Sequence, residues 1–429
     1  MTIHSPAHPT IFWPSQLLPL IEQAPSTADL ATPEQLALVQ QMADGLLEHR
    51  PEASAIEALE KKMADHRPDY PLAAHLAIKL ARSRQALESL ETPLHLSVIF
   101  AIYKEHTRIL TREEHPHGEN FLRTKIDQLN WLCQGLAGVT WEMVLVDDGC
   151  PEGSGELAQK ILLEKQDQEN VRVLFLAEAI RMGLPVTDPM VTTDDSRKGG
   201  SIAYGLWEAT REPKPNQVVI YTDADLSTHL GQCGLIAEGI VKQGADAAIG
   251  SRREPLSIVV KGGSRNERGK LFIYLWKRML PNLAEIIDTQ CGFKGFRADV
   301  ARKIVQGLTE KKFAFDIELL LKVQLNRPGA IVKIPVAWID SEAASTTTEF
   351  QPYLKMLKSI TGFYRTYLPP TPHAEPYAEL IEQMDSEGWK RLLDPVPEGI
   401  VQREPIAFKD YHGVSAQMLA RIAGVNLSG

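Results

Sequence analysis

The 429-residue chain predicts an α/β fold: a mostly parallel central sheet flanked by helices, with helical extensions at both ends. Three observations predict it. Between residues 94 and 345, short β-favouring apolar runs alternate with helix-patterned segments, as strand–helix crossovers require. Some runs are apolar throughout, Val218-Val219-Ile220-Tyr221 above all, which suits a strand buried on both faces. Residues 1–93 and 346–429 carry helical spacing instead.

Composition bounds the function. Hydrophobic residues make up 44% and charged residues 24%, as in ordinary globular proteins, and the length allows two or three domains. A net charge of −9 argues against nonspecific nucleic-acid binding. Cys133, Cys150, Cys233 and Cys291 are far apart, with no Cys-x-x-Cys, so neither a zinc site nor a disulfide framework is indicated. A reducing, cytoplasmic setting is expected. Residues Met1 to Leu30 show no basic segment followed by an apolar core, so no signal peptide is expected. The apolar run Leu96 to Tyr103 falls far short of the ~20 residues of a membrane span, which leaves peripheral membrane contact at most.

Taken in order, residues 1–93 read as a helical region. Thr32-Pro33-Glu34-Gln35 has an N-cap Thr, Pro at the first helical position and Gln at the capping-box position. Leu36, Val39, Ala43, Leu46 and Leu47 follow with helical spacing, and further helices are expected at 52–65 and 72–90. Packing or partner binding is the expected role. The region 94–345 predicts strands at 96–102, 142–147, 171–176, 217–222, 246–250 and 331–337. Helices are expected near 120–134, 154–165, 199–210, 229–243, 266–280, 298–308 and 316–325. In the helical and irregular region 346–429, Tyr353, Leu354, Leu357, Ile360, Phe363 and Tyr364 form one apolar stripe beside Lys355, Lys358 and Arg365. It suits packing on the sheet domain first, and membrane-surface contact second. Proline-rich segments at 369–376 and 395–397 read as linkers.

In an open parallel sheet, ligands bind beyond the carboxyl ends of the strands, and the polar motifs fall there. The first strand runs into Tyr103-Lys104-Glu105, the second into Asp147-Asp148-Gly149, and the fourth into Asp223-Ala224-Asp225. A carboxylate pair where a buried strand stops is costly unless a cation neutralises it. A hard divalent ion held by one or two carboxylates, water and substrate phosphates is the usual solution, so a metal–diphosphate site is expected at Asp223 and Asp225. Turn or cap chemistry is the plainer alternative. Asp148 suits hydrogen bonds to a base or ribose, while Asp-Gly equally favours a tight turn, and the two readings stand level.

Lys198-Gly199-Gly200 opens a helix; glycines admit close backbone approach to a ligand, and Lys198 suits phosphate. Gly250-Ser251-Arg252-Arg253 and the basic stretch Lys261 to Arg268 suggest a loop that orders over a diphosphate. There Arg252, Arg265 or Arg268 would neutralise the leaving group, whereas Arg253 and Lys270 read as solvated surface. Asp288-Thr289-Gln290-Cys291-Gly292-Phe293-Lys294-Gly295-Phe296 is a compact polar and aromatic segment. Asp316 suits a helix cap or a general base, roles that are compatible. His115-Pro116-His117 with Glu113 and Glu114 reads as a solvated loop, and His229 as a helix-start residue.

Together these segments resemble family 2 glycosyltransferases with the nucleotide-diphospho-sugar transferase (GT-A) fold, most of all polyprenyl- and dolichyl-phosphate β-glucosyltransferases. The resemblance rests on Ser97-Val98-Ile99, Val146-Asp147-Asp148-Gly149, Lys198-Gly199-Gly200, Asp223-Ala224-Asp225, Ile249-Gly250-Ser251-Arg252, Asp288 to Lys294, and Phe315-Asp316-Ile317-Glu318-Leu319-Leu320, in family order across about residues 95–340. It implies a nucleotide-sugar donor (UDP-glucose favoured, GDP-mannose next), Mg²⁺ or Mn²⁺, and transfer with inversion. Tyr103, Glu105, Asp148, Lys198, Gly199, Asp223, Ala224, Arg265 and Arg268 would then contact the nucleotide sugar. Asp223 and Asp225 would hold the metal, and Arg252 and Asp316 would be catalytic, Asp316 as base.

Three features depart from the family pattern. Lys104 replaces an amide, segment 177–197 is longer than usual, and helical zones rather than membrane anchors flank the core. The acceptor stays open among a small molecule, a lipid phosphate and a glycan, and the oligomeric state is not legible. Asp-x-Asp does not fix the anomeric outcome, so a retaining transferase with a glycerate-type acceptor is an alternative. A sugar nucleotidyltransferase would carry a glycine-rich loop after the first strand, yet residues 103–112 contain no glycine. A noncatalytic sugar-nucleotide-binding scaffold would have no need of the carboxylate pair.

Overall fold

A computed structural model describes residues 13–49, 52–164, 169–260, 266–340, 353–410 and 413–427. Its strands are β1 (Leu94–Ile102), β2 (Val139–Asp147), β3 (Val171–Phe175), β4 (Gln217–Thr222), β5 (Ala247–Ser251), β6 (Ile258–Val260), β7 (Phe293–Arg297), β8 (Ile331–Pro335) and β9 (Ala337–Ile339). Seven form one sheet in the order β3-β2-β1-β4-β7-β5-β8, and β6 pairs with β9 in a small second sheet. All six expected strands are present. β7, which sequence pattern missed, lies antiparallel between β4 and β5; the other neighbours in the large sheet are parallel.

The apolar runs explain the sheet's centre. β4 is buried at every position, and β1 at all but Ala101. Helices cover both faces, so neither face of these strands meets water. One apolar cluster joins one face of the sheet to the N-terminal helices; another lies on the opposite face around Ile99, Val146, Tyr221 and Phe296. From β1 the strand order runs outward through β2 and β3, whereas β4 lies on the other side of β1. The crevice between the carboxyl ends of β1 and β4 is therefore the switch point where open α/β sheets bind ligands.

Several local expectations change. The 331–337 segment divides at Val336: β8 stays in the large sheet and β9 pairs with β6. The 229–243 helix begins as a 3-10 turn, Leu230–Gln232, before Cys233–Val241; His229 caps that turn by accepting the Gly231 N–H at 2.9 Å. No capping box forms at Thr32. Its hydroxyl donates to Asp29, and Gln35 accepts from the Asp29 N–H at 2.8 Å, because Asp29 lies within reach of both.

The apolar stripe of the Tyr353–Tyr367 helix is mostly buried, with Leu357, Ile360, Phe363 and Tyr364 packed in a cluster with the Asn266–Met279 helix. It is spent on packing. Residues 369–374 and 394–397 are short connections between helices of this C-terminal region.

Candidate active site

Four of the expected residues meet at the end of β4. Lys198 Nζ forms an ion pair with Asp223 Oδ1. The Lys198 backbone has φ 73°, in the left-handed region that costs a non-glycine residue free energy. It is held there by its N–H, which donates to Asp148 Oδ2 at 2.9 Å, while Asp148 Oδ1 accepts from Ser201 Oγ at 2.7 Å. Asp148 thus fixes the lysine that pairs with the first aspartate. Asp147 builds the turn, accepting N–H groups from Gly149, Cys150 and Gly155 at 2.9 to 3.0 Å, with Gly149 at φ 74°.

Gly199 has a packing role that the sequence does not show. A Cβ there would strike the Lys311 and Lys312 backbone, so the glycine is required for loop packing. The Gly200 N–H is likewise taken by the Lys311 carbonyl, at 2.9 Å.

The aspartates differ in environment. Burial acts to raise the Asp223 carboxyl, but Lys198, with Arg252 and Lys294 beyond it, outweighs burial and holds it below its usual range. Asp225 is pushed up by burial and by Asp223. Its Oδ1 accepts the Ser227 N–H at 3.0 Å. Near it, Glu105 pairs with Arg108 at 2.6 Å; burial drives the Glu105 carboxyl up, and Asp225 and Glu119 add to this against the pull of Arg108.

Among the described residues no group of three or more His, Cys, Asp and Glu side chains could cage a metal. Asp223 and Asp225 are the carboxylates at the end of β4 that could hold a divalent ion, and Asp225, with no ion-pair partner among the described residues, is the less engaged of the two.

Behind Asp223 lie two buried ion pairs. Arg252 grips Asp288 with Nε at 2.8 Å, Nη2 at 2.7 Å and its backbone N–H at 2.8 Å, and its guanidinium lies 5.0 Å from the Trp338 ring centre. Lys294 Nζ donates to Asp316 Oδ1 at 2.7 Å and also to the Cys291 carbonyl, and Tyr221 Oη donates to the same Oδ1. Burial and the Asp316 charge push the Tyr221 phenol well up. Asp316 is the second residue of the Phe315–Asn326 helix, whose N-cap position is Ala314, so it is no cap. Gly292 packs directly on Asp223: a Cβ there would overlap the carboxylate.

The remaining expected residues differ in exposure. Tyr103 is 42% exposed at the end of β1 and Ala224 is buried. Arg268 is exposed on the Asn266–Met279 helix, and Arg265 lies outside the described residues. Arg253 is exposed as expected. Lys270 is not solvated; its Nζ is buried against the Val401 carbonyl at 3.0 Å and Glu404 at 2.9 Å, tying the C-terminal region down. Residues not singled out from sequence are Tyr221, Asp288, Gly292 and Lys294 as partners of site groups, and Arg108. A lysine flanked by apolar residues in Phe293-Lys294-Gly295-Phe296 was the available signal, since a buried lysine demands a carboxylate.

This chain is related to glycosyltransferases, as the resemblance implied. More particularly, it is 26% identical over 283 residues to the dolichyl-phosphate beta-glucosyltransferase of Dictyostelium discoideum, covering 64% of this chain and 75% of that protein. It is 28% identical over 284 residues to the enzyme of the same name from Drosophila melanogaster, covering 64% and 76%. Among solved structures, glucosyl-3-phosphoglycerate synthase of M. tuberculosis aligns with a TM-score of 0.41 and 16% identity over 68% of this chain and 86% of that one. No family model matches the chain.

Proposed function

We propose that this protein is a metal-dependent, inverting hexosyltransferase that moves glucose from UDP-glucose, with GDP-mannose the next donor, to a hydroxyl or phosphate acceptor. The observation that carries the reading is the carboxylate pair at the switch point, with Lys198 on Asp223 and, among the described residues, Asp225 hydrogen-bonded through Oδ1 to the Ser227 N–H alone. The glucosyl and dolichyl-phosphate terms in the relatives' names support glucose and a phosphate-bearing acceptor. Among the described residues no helix is long and apolar enough to cross a membrane. The reading takes the enzyme to act in the cytoplasm or at a membrane surface, where it would meet such an acceptor.

The reaction is a single in-line displacement. An acceptor oxygen forms the new bond to the anomeric carbon as the bond to the β-phosphate oxygen breaks, and the nucleoside diphosphate leaves with the electron pair. Lys198 and Arg252 bring positive charge to that leaving group. A cation about 4 Å from a developing negative charge is worth about 4 kcal/mol at an effective dielectric of about 20. Realised only in the transition state, that is roughly three powers of ten in rate. Bound Mg²⁺ or Mn²⁺, held by Asp225 with Asp223, would add further neutralisation of the diphosphate. Asp316 takes the proton of a hydroxyl acceptor on Oδ2, since Lys294 and Tyr221 both bind Oδ1. A phosphate acceptor needs no base.

A nucleotide-sugar panel read by thermal shift, with and without Mn²⁺, tests this. A donor at 100 times its dissociation constant stabilises the folded state by about 2.7 kcal/mol. Metal-dependent stabilisation by UDP-glucose is expected, and no stabilisation by any nucleotide sugar would overturn the reading.

A further inference from the structure

Glu318 is 0% exposed on the Phe315–Asn326 helix, two residues beyond Asp316. Side chains two apart on a helix point about 200° apart, so these two acids serve different neighbours. Asp316 meets Lys294 and Tyr221, whereas Glu318 meets the loop ahead of its own helix and the Tyr353–Tyr367 helix. Its Oε1 accepts the Thr309 N–H and the Thr309 hydroxyl, both at 2.9 Å, and the Tyr367 phenol at 2.6 Å. Its Oε2 accepts the Glu310 N–H at 2.7 Å. Every one of these donors is uncharged. A buried carboxylate held by neutral donors is costly, and packing alone would be met more cheaply by an apolar side chain. Burial and the Glu318 charge push the Tyr367 phenol up, which keeps it a donor.

The segment that Glu318 grips continues directly into Lys311. The Lys311 carbonyl accepts the Arg197 N–H at 3.0 Å and the Gly200 N–H at 2.9 Å, and Lys311 Nζ donates to the Val186 carbonyl at 2.8 Å. Those two amides bracket Lys198, whose backbone is in the left-handed region and whose Nζ meets Asp223. We propose that Glu318 is a positioning residue for the donor site. It fixes the 309–311 backbone, the Lys311 carbonyl fixes the turn on both sides of Lys198, and the turn aims the ammonium at Asp223. Tyr367 makes the C-terminal helical region part of the same support, which gives that region a role beyond packing. The donor-binding part of this statement rests on the function proposed above; the hold on the Lys198 turn does not.

The test reads amide hydrogen exchange of the full-length protein by mass spectrometry without ligand, then binding of UDP or GDP with Mn²⁺ by calorimetry. Glu318→Gln turns an amide group toward a cluster of donors, while Tyr367→Phe and Thr309→Val each remove one donor. Exchange at Arg197 and Gly200 should rise at least about tenfold in Glu318→Gln and about threefold in the other two, with β2 unchanged. Nucleotide binding should weaken by similar factors. Thr309→Ser, which keeps the hydroxyl, should behave as wild type. Unchanged exchange at Arg197 and Gly200 overturns the proposal, as does exchange raised equally along β2 or Thr309→Ser behaving like Thr309→Val. Nucleotide affinity that stays at wild-type strength while the turn loosens overturns it too. If Glu318→Gln does not fold, Tyr367→Phe and the two Thr309 variants decide. If wild type binds neither nucleotide with Mn²⁺, the proposed function falls instead, and the exchange result still decides whether Glu318 holds the Lys198 turn.

Discussion

The Lys294–Asp316 pair offers the most informative perturbation. Both side chains are buried, and the pair closes at 2.7 Å. Removing one partner of a buried ion pair strands the other and typically costs about 3–5 kcal/mol. Lys294 would retain the Cys291 carbonyl and Asp316 would retain Tyr221 Oη, but neither contact supplies a compensating charge. Lys294→Met and Asp316→Asn should therefore each cost about 3–5 kcal/mol. The double variant should cost less than the sum, with a coupling of about 2–3 kcal/mol. Urea denaturation followed by tryptophan fluorescence, with the slope unchanged, measures all three; the chain has 7 tryptophans. Strictly additive costs would refute the reasoning. Turnover is read alongside. If Asp316 takes the acceptor proton, Asp316→Asn loses about 10²-fold or more in kcat with the donor KM little changed. Undiminished turnover removes Asp316 as base.

Other sites give signed outcomes. Gly292→Ala forces a methyl against the Asp223 carboxylate. It should destabilise the protein by about 1–3 kcal/mol and weaken donor binding at least tenfold by calorimetry. Burial acts to raise Glu142, but hydrogen bonds from His95 and Ser97, with Lys214 and Arg172, hold it at about 2 against an ordinary 4.5. Its folded pKa is depressed, so its contribution is fully present above about 4.5 and is lost as pH falls toward about 2. Glu142→Gln should cost about 1–2 kcal/mol near neutrality, after allowance for solvent screening, and the gap to wild type should close in acid denaturation. Glu60 pairs with both Lys79 and Arg82, and Lys79 also donates to the Pro335 carbonyl at 2.9 Å, linking the N-terminal helices to the end of β8. Glu60→Gln should cost about 3–5 kcal/mol in urea denaturation and expose this junction to limited proteolysis.

β1, β2 and β4 were legible because each contains a continuous apolar run that leads into charged residues. β7 was not, since Phe293-Lys294-Gly295-Phe296-Arg297 is neither a continuous apolar run nor a strict alternation, and its buried lysine is neutralised by a carboxylate 22 residues further on. β6 and β9, three residues each, are too short for any periodic signal. The strand-end acids were found from sequence, but their division of labour was not. That Asp148 holds the Lys198 backbone, and that Lys198 then neutralises Asp223, depends on side chains 25 to 50 residues apart. That Gly199 also has to admit the 311–312 backbone, and that the Gly200 N–H is bound by the Lys311 carbonyl, depends on a loop over 100 residues away and leaves no mark in the sequence. Arg252 was recognised as a cation, whereas its tether Asp288 lay in a motif that carried the resemblance but was given no role of its own.

The central claim is that Asp225 and Asp223 bind a nucleotide sugar through a divalent ion. Calorimetric titration of UDP-glucose into wild type and Asp225→Asn, each with and without Mn²⁺, tests it most directly. Binding that requires Mn²⁺ in wild type and is lost in Asp225→Asn is the predicted result. Binding of equal strength in all four titrations, or in none, would contradict the claim.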